Sequence, residues 1–230
     1  MQRIPNKQYN LAAPDGLAVR LMGYQRRHLY ERFLAECRGN PDDAVLDVGV
    51  TADRSYASSN YLEQWYPYRT QLTAAGIDDA AFLENLYPGV RFIRANGLAL
   101  PFRDQAFDIV HASAVLEHVG SAANQTAFVR ECCRVTRKTA LFTTPNRWFP
   151  VEFHTLLPVV HWLPKPAFRA LLRKSGYGFF AEESNLNLLT SGELRTIAAQ
   201  VDGFICKVSP VTLFGWPSNL LLIARRRRTV

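Results

Sequence analysis

The run Ala44-Val-Leu-Asp-Val-Gly49 constrains this chain more than any other stretch. Its apolar residues end in a carboxylate, one more apolar residue and a glycine. A strand buried on both faces of a parallel sheet reads this way where it reaches the carboxyl edge and turns tightly. Ligands of open α/β sheets bind in the crevice outside those strand ends. A glycine there lets the backbone come close to a ligand. Asp47 is therefore expected as a carboxylate beside a bound cation.

The rest of the chain repeats the unit. Asp15 to Glu36 reads as an amphipathic helix with Leu17, Leu21, Tyr24, His28 and Phe33 near one face, stopped by Gly39-Asn40-Pro41. Thr51 to Tyr68 is polar and aromatic, and long for an α/β connection, so a functional loop carrying a short helix is expected. Strands are expected at 72–77, 90–95, 107–113 and 139–144, with helices at 80–86 and 124–134 between them. Arg147 to Lys174 breaks the rhythm with Trp, Phe, His and Pro, as an inserted cap over the sheet edge would. Thr190-Ser-Gly-Glu193 has the form of a capping box opening a helix to Gln200. Residues 204–208 and 220–224 close the chain as strands. Strands alternating with helices mean βαβ units with right-handed crossovers and a mostly parallel sheet.

At 230 residues, 48% of them hydrophobic, the chain can bury one sizeable core, and a single domain is expected. It divides into a helical segment 1–40, a core 41–146, a cap 147–190 and a closing helix and strands 191–230. No run approaches 18 uninterrupted apolar residues, which argues against a spanning helix. Met1 to Asn10 lacks an apolar signal region, and a cytoplasmic location is expected. Cys37, Cys132, Cys133 and Cys206 show no CxxC spacing and read as reduced thiols, so no metal site is expected. The net charge of +7 leans on Arg225 to Arg228. Without that run 23 basic residues stand against 20 acidic ones, and no basic stripe interleaved with aromatics appears. No nucleic-acid partner is expected. The arginine run reads as a solvated end, with acidic lipid head groups as the alternative.

Four stretches together resemble the class I S-adenosylmethionine-dependent methyltransferases of the small single-domain kind. They are Val45-Leu-Asp-Val-Gly49, Gly76-Ile-Asp78, Asn96-Gly-Leu-Ala-Leu-Pro-Phe102 and Phe107-Asp-Ile-Val-His-Ala-Ser-Ala-Val-Leu-Glu-His118. The resemblance covers roughly residues 40 to 145. It implies an α/β, Rossmann-like, seven-stranded and mostly parallel sheet with helices on both faces, and a small apolar cap after the fifth strand. It also implies S-adenosyl-L-methionine as cofactor. Asp47 would hold the amino group, Gly49 would give the ligand room and Asp78 would accept from the ribose hydroxyls. Asn96 and Gly97 would meet the adenine edge, and Ser113 lies on the bend along the methionine part. The chain departs from the family in having Val50-Thr51-Ala52-Asp53 after Gly49 in place of a Gly-x-Gly loop. A methyltransferase-like module with weakened cofactor binding, acting through a partner or at a membrane surface, is thus the alternative. A dinucleotide oxidoreductase would need Gly-x-Gly-x-x-Gly there, which is absent.

Methyl transfer needs alignment of two partners, and an acceptor hydroxyl additionally needs a base. The candidates are His111, His118, Glu152 and His154, with His111 and His161 reading better as packed residues. Glu117 and His118 follow the fourth strand, where the family places residues beside cofactor and acceptor. Glu152-Phe-His154 lies just past the fifth. Glu117, His118 and His154 are the expected acceptor-side residues. Phe149 to Phe180 is apolar enough to be cap core, to roof a small-molecule or lipid-linked acceptor, or to rest peripherally on a membrane.

Overall fold

The computed structural model describes residues 9–37, 39–56 and 58–227. Its strands are β1 (Val45–Val48), β2 (Leu72–Gly76), β3 (Arg91–Arg94), β4 (Phe107–Ser113), β5 (Thr136–Pro145), β6 (Phe204–Leu213) and β7 (Trp216–Arg226). They form one sheet in the order β3-β2-β1-β4-β5-β7-β6. The first five run parallel, and β7 lies antiparallel between β5 and β6. The order reverses between β1 and β4, so the crevice at the carboxyl end of β1 is the switch point where such sheets take ligands.

The helices are α1 (Leu17–Cys37), α2 (Tyr61–Trp65), α3 (Phe82–Leu86), α4 (Ala122–Val135), α5 (Lys165–Lys174), α6 (Gly178–Ala181) and α7 (Ser191–Ala198). Every residue of β1 is buried, and alternation sends its side chains to opposite faces. Val45 packs in a cluster with Leu29 and Phe33 of α1, Tyr61 of α2 and Leu83 of α3. Leu46 and Val48 pack with Phe128 and Val129 of α4 and Leu194 and Ile197 of α7. Helices therefore cover both faces, as expected. The capping box is present: the Thr190 hydroxyl accepts from the Glu193 amide while the Glu193 side chain caps Thr190.

Three expectations need correction. The inward stripe of α1 runs through Gln25, Leu29 and Phe33, while Leu17 and Tyr24 are exposed. Phe33 is inward as expected, but Tyr24 and His28 stand one residue, about 100° of helix, from the inward Gln25 and Leu29, because Gln25 holds a buried position that hydrophobicity assigns to apolar residues. The closing strands are about twice their expected length, since Ser209, Pro210 and Thr212 interrupt an apolar pattern that backbone pairing carries through. Arg225 and Arg226 are not a solvated end. They belong to β7, where Arg225 pairs with Glu36 at 2.7 Å and Arg226 donates to the carbonyls of Cys133 and Thr136. Arg228 and residues 1–8 lie outside the described residues.

The cap has its own small core. Phe168, Leu172, Tyr177, Phe180, Leu186 and Leu188 pack together, with Tyr9 and Leu11 against them. Trp148, Val159, Trp162, Leu163 and Leu171 remain exposed on it. No described helix is long and apolar enough to cross a membrane.

Candidate active site

At the end of β1 the chain turns through Gly49 with φ at +97°, a left-handed conformation that favours glycine. A Cβ there would lie 2.2 Å from Cγ2 of Val115, in the turn after β4. The same holds after β3, where a Cβ on Gly97 would lie 2.4 Å from the Phe128 ring. Gly49 lets the loop after β1 close on the turn after β4, and Gly97 lets the loop after β3 close on α4. Ala114 adopts φ of 56° and bends the chain away from β4, while the Ser113 hydroxyl shares a 2.8 Å hydrogen bond with Thr143.

The loops enclose a cavity of about 410 Å³, lined by Asp47, Gly49, Asp78, Asn96, Gly97 and Ser113. Every expected cofactor residue thus meets in one space, of the size that small ligands occupy. Asp78 presents an exposed carboxylate at the end of β2. The Asn96 amide oxygen accepts from the Leu98 N–H at 2.9 Å, so its NH₂ is the group that can donate outward. Asp47 is mostly buried and already engaged: its Oδ1 meets His111 Nδ1 at 2.7 Å, and His111 Nε2 meets the Tyr61 hydroxyl at 2.9 Å. His111 is thus a packed residue on the sheet. Glu63 lies wholly buried nearby, and neither carboxylate oxygen has a hydrogen-bond partner. Burial first, and the Asp47 charge second, hold its pKa well above the usual carboxylate range.

Where the resemblance implies a glycine loop, side chains hold this one. Asn60 clamps Thr51 from both sides, accepting from its N–H and donating to its carbonyl, each at 3.0 Å. Ser59, Asn60 and Tyr61 reach the cavity wall. So do Met22, Gln25, Arg26 and Leu29 of α1, which the sequence reading did not select. Gln25 lines the cavity, and both atoms of its amide are buried without a hydrogen-bond partner. The signal was present in the stripe Met22, Gln25, Leu29, Phe33, whose spacing is helical but whose second member is polar.

The other end of the cavity is lined by Tyr9, His118, Phe153 and His154. The turn that carries His118 is held by Gln125, which donates to Leu116 and Asn187 carbonyls, and by the Asn187 N–H, which donates to the Glu117 carbonyl. His118 Nδ1 donates to the Asn185 carbonyl at 2.7 Å. His154 Nδ1 meets Glu152 Oε1 at 2.6 Å. The His154 N–H, the Thr155 N–H and the Thr155 hydroxyl also donate to the Glu152 carboxylate. The two rings then meet Nε2 to Nε2 at 3.1 Å. Tyr9 covers His118 edge-on at 4.8 Å, and Phe180 lies 6.4 Å from the His154 ring.

Electrostatics separate these groups. Burial raises the Glu152 carboxyl, but the charge and hydrogen bonds of His154 outweigh it and bring the pKa down to about 2. Burial lowers His154, but Glu152 prevails and raises it. Burial, aided by the His154 charge, takes His118 down to about 3. Glu117 needs correction as an acceptor-facing residue. It is fully buried behind His118 and does not line the cavity. Burial pushes it up to about 7; its Oε2 accepts from the Thr144 hydroxyl, and its Oε1 has no hydrogen-bond partner. His161 is structural, its Nε2 donating to the Phe149 carbonyl.

Residues 46–144 match the family described as a methyltransferase domain. Two proteins from different strains of Mycobacterium tuberculosis, each called "Probable S-adenosylmethionine-dependent methyltransferase", are 38% identical over 81 residues. That alignment spans 34% of this chain and 28% of each relative. In fold the chain is similar to an S-adenosylmethionine-dependent methyltransferase from Mesorhizobium loti, with a TM-score of 0.60 and 15% identity over 90% of this chain and 100% of that one. The YcgJ protein of Bacillus subtilis gives a TM-score of 0.58 and 13% identity over 88% of this chain and 100% of that one.

Proposed function

We propose that this chain, which through its core segment belongs to the class I S-adenosylmethionine-dependent methyltransferases, methylates a small-molecule or lipid-linked acceptor held at the His118–His154 end of the cavity. The observation that carries this reading is the single cavity that joins the strand-end residues Asp47, Asp78 and Asn96 to those two rings.

The residues present fit the cofactor. Asp47 and Asp78 offer carboxylates to an ammonium and to ribose hydroxyls from the wall of one cavity, and Gly49 and Gly97 line it beside them. Arg26, whose guanidinium also donates to Ser58, lies beside Gln25 and suits a carboxylate ligand group. Bound there, S-adenosylmethionine supplies a methyl group on a sulfonium, which departs as a neutral thioether.

What remains for the chain is to hold the acceptor, exclude water and take a proton. Tyr9 and Phe153 give that end an apolar wall, with Phe180 of the cap core behind the His154 ring. With its Nδ1–H fixed on Glu152, His154 in its neutral form directs Nε2 at His118 Nε2, and the two nitrogens can hold one proton between them. A proton taken there is shared with His118 Nε2 across 3.1 Å, and the Glu152 carboxylate stabilises the resulting imidazolium. The acceptor oxygen loses its proton as its new bond to carbon forms. The exposed Trp148, Trp162, Leu163 and Leu171 around the cap support an acceptor with an apolar tail. The Asn60 clamp supports cofactor binding over the weakened module, because it fixes the loop that glycines shape elsewhere.

The test is turnover of labelled S-adenosylmethionine against a panel of polar metabolites and polyprenyl- or acyl-linked acceptors. Methylation of any of them supports the reading. Cofactor binding with no acceptor methylated from either class, with acceptors presented in detergent and in vesicles, would count against it.

A further inference from the structure

We propose that His118, His154 and Glu117 form a binding site for one divalent transition ion of the zinc type, open toward the cavity. The argument starts with the hydrogens on the two rings. Each Nδ1 faces an acceptor: the Asn185 carbonyl at 2.7 Å for His118, and the Glu152 carboxylate at 2.6 Å for His154. Each Nδ1 therefore carries the hydrogen, and each neutral ring directs its Nε2 lone pair at the other, 3.1 Å away. Two lone pairs so placed repel unless a proton or a cation lies at that point.

A proton would satisfy the two nitrogens and leave Glu117 unmet. Its Oε1 is fully buried, has no hydrogen-bond partner, and stands 4.0 Å from His118 Nε2. The three ligand atoms all lie within 4.8 Å of one another. Metal–nitrogen bonds of about 2.0–2.1 Å place two ligand nitrogens roughly 2.9–3.4 Å apart at ordinary valence angles. The observed nitrogen separation falls in that range, and a small rotation of Glu117 closes the third position. A dication answers all three atoms at once.

The surroundings have the form that metal ligands require. Ligating histidines donate their other N–H to a carboxylate or a backbone carbonyl, which fixes the ring and raises its basicity. This pair has one of each. The Glu152 carboxylate that holds His154 is itself held by the Thr155 N–H and hydroxyl at 2.7 Å. Two imidazoles and one carboxylate suit zinc or iron(II), leaving an open position on the cavity side. The cysteine spacing gave no hint of this, because the ligands come from the turn after β4 and the loop after β5.

The ion's role rests on the proposed methyl transfer; the site itself does not. A cation there would bind the acceptor oxygen and favour its ionised form. The two imidazoles and Glu117 would then be ligands, and the acceptor's proton would leave to solvent.

The experiment uses the full chain, freed of any affinity tag and stripped with chelator. Zn²⁺ is added, excess is removed by dialysis, and bound metal is measured by mass spectrometry. Co²⁺ is added in parallel, and its visible d–d absorption is recorded. The proposal expects one ion per chain and Co²⁺ bands typical of a site of low coordination number. It expects affinity to fall about 100-fold in His118→Ala and His154→Ala, and about 10-fold in Glu152→Gln, where only ring orientation is lost. Wild-type protein that retains no Zn²⁺ and perturbs no Co²⁺ band overturns it. So does unchanged stoichiometry in folded His118→Ala. Should an alanine variant fail to fold, Glu152→Gln and the wild-type Co²⁺ spectrum decide. Calorimetry with S-adenosylmethionine on the stripped protein separates the two readings: cofactor binding without Zn²⁺ sinks only the metal, and Zn²⁺ without cofactor binding sinks only the methyl transfer.

Discussion

His118 Nε2 and His154 Nε2 meet at 3.1 Å although 36 residues separate them in the chain. The sheet makes this possible. β4 and β5 are parallel neighbours, so the turn after one and the loop after the other emerge side by side at the same edge. The roles of both rings follow from that meeting.

Replacing His154 with alanine should lower turnover by about 10²–10⁴-fold, the usual worth of a positioned base. Affinity for S-adenosylmethionine should stay within about twofold, since the residue stands at the end of the cavity proposed for the acceptor. Steady-state turnover and calorimetry on the same preparation check this. Full turnover, or a loss of cofactor affinity as large as that of Asp78→Ala, would put the acceptor elsewhere.

The Asn60 clamp offers a second test. Asn60→Ala removes two 3.0 Å hydrogen bonds to Thr51, at about 0.5–1.5 kcal/mol each. The loop after Gly49 should then loosen. Limited proteolysis should cut within 50–60 faster in the variant, and added cofactor should protect the wild type more than the variant. Identical cutting patterns would show that the loop keeps its shape without Asn60.

Glu63 gives a pH dependence whose sign follows from its burial. Its carboxyl binds a proton more tightly folded than unfolded. Its contribution to stability is therefore full below its unfolded pKa, about 4.3, and is lost as pH rises toward the folded value. Glu63→Gln should gain melting temperature relative to wild type at pH 8 and lose that advantage near pH 5. Thermal melts at the two pH values decide, and parallel shifts would mean that Glu63 is not held neutral.

The parallel core and its strand ends were legible because they rest on short apolar runs that finish in Asp, Asn or Gly. Val45 to Gly49, Gly76 to Asp78 and Asn96-Gly97 gained their weight together, from their order along the chain and the family that they resemble. Ser113 and His118 were legible as the bend and turn after β4. Gln25 and Arg26 were not: the helical spacing Met22, Gln25, Leu29, Phe33 was there, but only the cavity opposite it tells that this face, polar member included, is the inward one. Nor was the depth of Glu117. Its neighbour His118 points into the cavity while Glu117 turns back toward Thr144, a division set by the tight turn after β4. The Asn60 clamp was hidden for a related reason: it replaces backbone freedom with a side-chain contact nine residues away.

The most direct measurement is calorimetric titration of the full chain with S-adenosylmethionine, repeated on Asp78→Ala. The account predicts a single site in the wild type. It predicts a weakening of about 1–3 kcal/mol in the variant, whose lost carboxylate would accept from two ribose hydroxyls. No binding to folded wild-type protein, or equal affinity in the two proteins, would contradict it.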